Sequence, residues 1–144
     1  MHVLDNISIP IHKDDQKIFI AGIQDPSFIL ENTTQFEKTL GNLKTNTKNY
    51  FTMLLSHRPE KFNAYVNRNF DLVFAGHAHG GQVRLPFIGG LFSPNQGFFP
   101  KYTSGIYRKF KTSMIVSRGL GNSTFPFRIF NTPELVVVTL KSQY

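Results

Sequence analysis

Three histidines stand where side chains can do metal chemistry. His77 and His79 follow the apolar run Leu72-Val73-Phe74-Ala75 and Gly76, and precede Gly80-Gly81-Gln82. His57 ends a second apolar run, Tyr50-Phe51-Thr52-Met53-Leu54-Leu55-Ser56. Neutral imidazole nitrogen is a good ligand for Zn, Mn and Fe. In an ideal strand, residues two apart share a face. Here the strand stops at Gly76, and the flanking glycines let the backbone turn, so the two rings can point to different places and serve different ions. One such His reads most simply as a core or loop residue; the trio at two strand ends reads as a metal site. Arg58 and Arg118 are candidate phosphate contacts, since Arg bonds phosphate oxygens in bidentate fashion. Surface arginine is the plain alternative for both. Gly80 would let the backbone pass close to a ligand, or is a plain turn glycine, and Gln82 would orient one.

These residues need elements to place them. Both apolar runs read as buried strands. Pro59 suits the first turn of a helix, where its missing N–H costs nothing. That helix, from Pro59 to about Asn67, turns Phe62, Tyr65 and Val66 inward. A further helix spans Glu31 to Lys44, capped by Asn32 or Thr33, with Phe36, Leu40 and Leu43 forming one stripe. Lys17–Ile23 is a strand ending in the turn Gln24-Asp25-Pro26. Strand, helix, strand, helix, strand is parallel α/β winding. His57 and His77 then share the carboxyl edge, where open α/β sheets place their active sites.

The remainder is less regular. Residues 1–17 read as irregular, with His2 and His12 as exposed loop residues. Phe87 to Ser104 reads as one long loop after a short strand at Val83–Pro86. Its Phe87, Phe92, Phe98, Phe99 and Tyr102 either cover the sheet edge or meet an apolar part of a substrate. Gly105–Lys111, Met114–Ser117 and Leu135–Leu140 read as strands.

The chain has 144 residues, one domain's worth, with 40% hydrophobic and 17% charged residues, ordinary for a globular protein. With 15 Phe and no Cys, disulfides and thiolate metal sites are excluded. No apolar stretch approaches the roughly 20 residues of a membrane span. No basic-then-apolar leader opens the sequence. The net charge of +7 favours anionic partners, although the basic residues are scattered along the chain, as on a solvated surface. The 9 acidic residues leave few carboxylates to bridge two metal ions. Asp71 precedes an extended stretch and would lie roughly 20 Å from His77, at the opposite sheet edge. Glu60 lies inside the helix after His57 and would sit behind the ligands. Asp25 reads as a turn residue or a support to the ligands.

Leu55-Ser56-His57-Arg58-Pro59-Glu60 and Gly76-His77-Ala78-His79-Gly80-Gly81-Gln82 together resemble the calcineurin-like metallophosphoesterase family. The likeness is to the bacterial branch with Ser-His-x-Pro-Glu and Gly-His-x-His-Gly-Gly-Gln motifs. It extends through Gly22–Pro26, Arg118–Gly121 and Pro133–Leu135. The resemblance implies an α/β fold that is part of an α/β/β/α sandwich. It implies phosphoester hydrolysis by a hydroxide held between two divalent ions (Mn, Fe or Zn), with His57 and His77 on one ion and His79 on the other. The family's Asp-x-His, Gly-Asp-x-x-Asp and Gly-Asn-His-Asp/Glu motifs are absent. Gly41-Asn42-Leu43 and Gly121-Asn122-Ser123 are the nearest approaches, and neither carries the His. Residues 1–144 thus resemble a single unit, the C-terminal part of such a domain. The bridging Asp and the leaving-group His would come from an upstream segment, removed by truncation or supplied by another chain. No catalytic residue is assigned within these residues, and weak metal binding with poor turnover is expected of the isolated chain. The expected partners are a phosphoester substrate, lipid-linked if the Phe-rich loop serves it, and a membrane surface, with nucleic acid disfavoured. The expected location is cytoplasmic or peripheral to a membrane. The competing reading is a non-catalytic basic module that holds nucleic acid or an anionic lipid surface.

Overall fold

The computed structural model describes residues 2–27, 33–123 and 126–141, with the side chain of Thr33 left aside. Its centre is a six-stranded sheet built from β1 (Ile7–Lys13), β2 (Gln16–Gly22), β3 (Thr52–Leu55), β4 (Leu72–Ala75), β9 (Gly105–Lys109) and β10 (Thr112–Val116). Their order is β1-β2-β3-β4-β10-β9. The four inner strands run parallel, and antiparallel hairpins close both edges. The α/β architecture is therefore the expected one, with a mixed rather than purely parallel sheet.

Side chains alternate across this sheet with period two. Leu54, Val73, Met114 and Val116 enter one core with Phe36, Leu40 and Leu43 of α1 (Thr33–Thr45) and Phe62, Tyr65 and Val66 of α2 (Phe62–Asn67). Met53, Leu72 and Ile115 face the other side, against Ile18, Ile20, Phe74 and Val136. The apolar stripes read from the sequence are thus the buried ones. The expected capping residue Asn32 and the first helical residue Glu31 lie outside the described residues.

Three expectations need correction. Residues 2–6 are irregular as expected, but from Ile7 the expectation fails: Ile7 to Lys13, His12 included, pairs with β2 through the Asp14-Asp15 turn. The alternation Ile7, Ile9, Ile11 was the available signal, and Pro10 is tolerated because β1 is an edge strand. Arg84–Leu85 falls in the expected short strand, but Phe87 to Ser104 is not one loop, since it completes two ribbons. β5 (Arg84–Leu85) pairs with β6 (Gly89–Gly90), and β7 (Phe92–Ser93) pairs with β8 (Gly97–Phe98). Within it Tyr102 enters the core edge-on to Phe62 and Tyr107, while Phe87, Phe98 and Phe99 are exposed. Third, Leu135–Leu140 is extended but unpaired, with Leu135 80% and Val137 82% exposed. Its β-rich composition reflects fit to a pleated, half-buried surface, and here Val136 packs on the face of the sheet while the segment joins no ladder among the described residues. Beyond the six-stranded sheet, the described residues form the two-stranded sheets β5–β6 and β7–β8.

Candidate functional site

Strands β2, β3 and β4 end in register at one edge, with Gly22 opposite Leu55 and Leu55 opposite Phe74. The ladder runs on through Ile23 N–H to Leu55 C=O (3.1 Å) and Ser56 N–H to Phe74 C=O (3.0 Å). Asp25, His57 and His77 each follow within three residues of their strand, so parallel pairing alone gathers them. An open cleft of ≈ 470 Å³ lies here, lined by Gly22, His57 and Gly76 and bordered by His2 and Leu4.

The His57 and His77 rings lie 4.5 Å apart between centroids, tilted by 58°. The backbone that presents them is unusual. His77, His79 and Gln82 have φ of 61°, 46° and 56°, in the left-handed region, with Gly80 and Gly81 between them also positive. Such conformations cost about 1–3 kcal/mol each in non-glycine residues and cluster at functional sites. His79 follows on the same turn, close enough for the His77 and His57 rings to feel it. The structure therefore brings the His57 and His77 rings together, with His79 within electrostatic reach of both. Burial holds the His57 imidazole below its ordinary pKa, reinforced by the neighbouring His77. Burial likewise lowers His79, against the opposing bond to Gly121. His57 and His79 are thus favoured in the neutral, ligand-competent form.

Arg58 does not present a free fork to phosphate. Its Nε bonds both Asp25 carboxylate oxygens (3.0 and 2.9 Å) and its Nη2 bonds Oδ1 at 2.8 Å, both side chains being 8% exposed. Nη2 also meets Ser27 Oγ, and Nη1 lies 3.5 Å from both Glu60 Oε1 and His77 Nε2. Tyr65 Oη donates to the Arg58 carbonyl at 2.6 Å and lies 2.8 Å from Ser56 Oγ, anchoring the turn from below. Burial raises the Asp25 carboxyl, but the bonds from Arg58 and Ser27 outweigh it and hold the group well below the carboxylate range. Asp25 is thus a support, as its position after β2 suggested, and Arg58 is its partner.

Arg118 is engaged too. Its Nη2 and backbone N–H donate to Glu134 (3.3 and 3.1 Å), and those bonds, the backbone one foremost, hold Glu134 below its usual pKa. The Arg118–Gly121 and Pro133–Leu135 segments meet through this pair. Gly80 is required by packing, since a Cβ there would stand 2.2 Å from Asn131 Oδ1. Gln82 is buried and donates to Ser123 Oγ at 2.7 Å.

Two site residues carried no sequence signal. Asn131 is 2% exposed and donates to the carbonyls of His79 (2.6 Å) and Gln82 (3.1 Å), tying down the strained turn. Asn95, at the tip of the β7–β8 ribbon, places Oδ1 2.6 Å from His77 Nε2. Both arrive through tertiary contacts, from segments with no metal-ligand spacing.

The donor set fits part of a divalent-metal shell. His57 and His77 supply two imidazoles, yet the nearby carboxylates are committed to arginines, and Asp71 sits at the other edge, bonded to Thr52 N–H (2.8 Å) and Lys44 (3.3 Å). Among the described residues no group of three or more His, Cys, Asp or Glu is arranged to hold an ion. A bridged two-metal centre does not fit these residues alone. No helix of the described residues is long and apolar enough to cross a membrane.

The chain is similar to an uncharacterized metallophosphoesterase of Bacillus subtilis, YkuE, at 36% identity over 129 residues, covering 90% of this chain and 42% of that protein. It is similar to the phosphodiesterase YaeI of Escherichia coli, at 30% identity over 88 residues, 61% of this chain and 32% of that protein. It is also similar to the UDP-2,3-diacylglucosamine pyrophosphatase LpxG of Chlamydia muridarum, at 30% over 92 residues, 60% of this chain and 28% of that protein. The chain spans less than half the length of each of these relatives. No family model and no solved structure matches it.

Proposed function

Because the chain belongs to the metallophosphoesterase family and spans less than half the length of the relatives it matches, we propose that it is the C-terminal, imidazole-bearing part of a metal-dependent phosphoester hydrolase. The observation that carries this is the 4.5 Å approach of His57 and His77 at the carboxyl edge of parallel strands. In this reading those two rings hold one divalent ion, and His79 holds a second. The bridging and leaving-group residues come from a segment outside this sequence. Bound divalent ions would neutralise phosphoryl charge and acidify a bound water. The protein's own part is to favour the neutral forms of His57 and His79 through burial, and to aim the site through the Asp25–Arg58 pair behind His77 and Asn131 under the turn.

Equilibrium dialysis of the chain against Mn²⁺ tests this. Weak binding is expected, reduced at least about tenfold by His77→Ala, as for loss of a ligand or its support. Equal binding by the two proteins sinks the proposal. Hydrolysis of bis-p-nitrophenyl phosphate by the chain alone is expected to be poor; robust turnover abolished by His77→Ala would show that no further segment is needed.

A second reading is favoured by the exposed Phe87, Phe98 and Phe99 on a chain of net charge +7. There the chain, with or without hydrolysis, rests on an anionic lipid surface. Phe98→Ser/Phe99→Ser is expected to weaken sedimentation with phosphatidylglycerol vesicles about tenfold, at up to about 1.5–3 kcal/mol for each large apolar side chain buried. Unchanged sedimentation removes this reading.

A further inference from the structure

His77 Nε2 has two polar neighbours, and they favour opposite protonation of that nitrogen. Arg58 Nη1, 3.5 Å away, can only donate, so it suits a bare nitrogen. Asn95 Oδ1, 2.6 Å away, can only accept, so it suits a nitrogen that carries the proton. Distance decides between them. The longer contact lies beyond the roughly 2.7–3.2 Å of ordinary hydrogen bonds, and the guanidinium is already spent on Asp25 through Nε and Nη2. The proton therefore belongs on Nε2, and Nδ1 keeps the lone pair.

Asn95 has a plainer role as a turn residue. Gln96 N–H bonds Ser93 C=O at 3.2 Å, and Asn95 takes the third place of that turn with φ of 60°, where Gly or Asn is wanted. A turn asks nothing of where the amide points, yet here it meets an imidazole. The tip that carries it is fastened from behind. The Gln96 amide donates to Tyr102 C=O and accepts from Tyr102 N–H, both at 2.9 Å. Ser93 is fully buried, and Tyr102 belongs to the core. An acceptor on so fixed a support can set the ring's orientation.

We propose that Asn95 is a positioning residue, whose side-chain carbonyl takes the Nε2 proton of His77 and so presents Nδ1 of an oriented ring to the ion. The proposal rests on the hydrolase reading and adds to it a residue that lies outside any metal-ligand spacing. A ligating His almost always donates its other ring N–H to a fixed acceptor, and removing that acceptor costs about 10–100-fold in metal affinity. The β7–β8 ribbon is then part of the metal-binding apparatus and not only a cover for the sheet edge.

The test reads the tautomer in the metal-free, ¹⁵N-labelled 144-residue chain. Two-bond ¹H–¹⁵N correlation of the imidazoles is recorded at about pH 8.5, above the ordinary His value of about 6.5, and His77 is assigned by its absence from His77→Ala. The wild type is expected to carry the His77 proton on Nε2. Asn95→Gly keeps the positive φ of the turn without steric cost, and should lower the ratio of Nε2–H to Nδ1–H about fivefold, the order of one net hydrogen bond. Asn95→Asp keeps an acceptor oxygen and should hold the wild-type form. Mn²⁺ binding in equilibrium dialysis should fall about tenfold in Asn95→Gly and be no weaker than wild type in Asn95→Asp. A proton on Nδ1 in the wild type, an unchanged ratio or an unchanged Mn²⁺ affinity in Asn95→Gly, or no rescue by Asn95→Asp each overturn the proposal. Mn²⁺ binding that falls with His77→Ala and not with Asn95→Gly removes the positioning role and leaves the hydrolase reading intact. Equal binding by wild type and His77→Ala takes down that reading and this proposal with it.

Discussion

Gly81→Ala is expected to destabilise the chain by about 3 kcal/mol or more, and to do so by parting the site from the ribbon that covers it. Gly81 has φ of +81°, and a Cβ built there stands 2.3 Å from Gly90 Cα, 2.9 Å from Gly90 C and 3.3 Å from Leu91 N. Each of those atoms is backbone, so no side chain can rotate out of the way. The left-handed conformation costs an L-residue about 1–2 kcal/mol, and forcing extra volume into a packed site costs about 1–3 kcal/mol more. Relief requires β6 to lift from the turn. β6 leads directly into the β7–β8 ribbon, so Asn95 should leave His77 in the same movement. Gly121→Ala is the control, since a Cβ there meets nothing within 4 Å, and its effect should stay within about 0.5 kcal/mol. Urea unfolding followed by circular dichroism decides the matter; equal midpoints for the two variants would mean that the Gly81–Gly90 approach is not the constraint described.

Arg58→Met is expected to cost about 3–5 kcal/mol at pH 7, the range for removing one member of a buried ion pair. The guanidinium makes three bonds to Asp25, with both side chains 8% exposed. Without it the carboxylate is stranded. The pH dependence separates this cause from simple loss of packing. Asp25 has a depressed pKa in the fold, so its contribution is fully present above the ordinary Asp value of about 3.9. It is lost as pH falls through the lower folded value. In the variant the stranded carboxyl instead gains from protonation. The difference between wild type and Arg58→Met should therefore shrink on acidification below about pH 4. A difference constant from pH 7 down to pH 3 would assign the loss to packing. Asp25→Leu/Arg58→Met should recover much of the stability, since an apolar pair of similar volume often replaces a buried ion pair without loss.

The Arg beside His57 has the chemistry of a phosphate clamp, but Asp25, 33 residues away in the chain, occupies it. A guanidinium serves a phosphate and a carboxylate equally well, so the residue type alone cannot tell them apart. Arg118 repeats the lesson with Glu134, 16 residues on. The segment 135–140 makes the same point for the fold, since its β-rich composition does not by itself bring it into a ladder among the described residues.

Local pattern by itself determined the buried stripes of α1 and α2, the strands before His57 and His77, and the convergence of those two residues on one edge. Those features depend on side-chain period and on parallel winding, both written in neighbouring residues. Tertiary structure alone decided that Asn95 and Asn131 join the site, that both arginines are held by carboxylates, and that Glu60 keeps an oxygen without a partner among the described residues. Each of these is a pairing between distant segments, decided by which groups are brought within about 3 Å and shielded from water, and nothing in the spacing of residues along the chain encodes it.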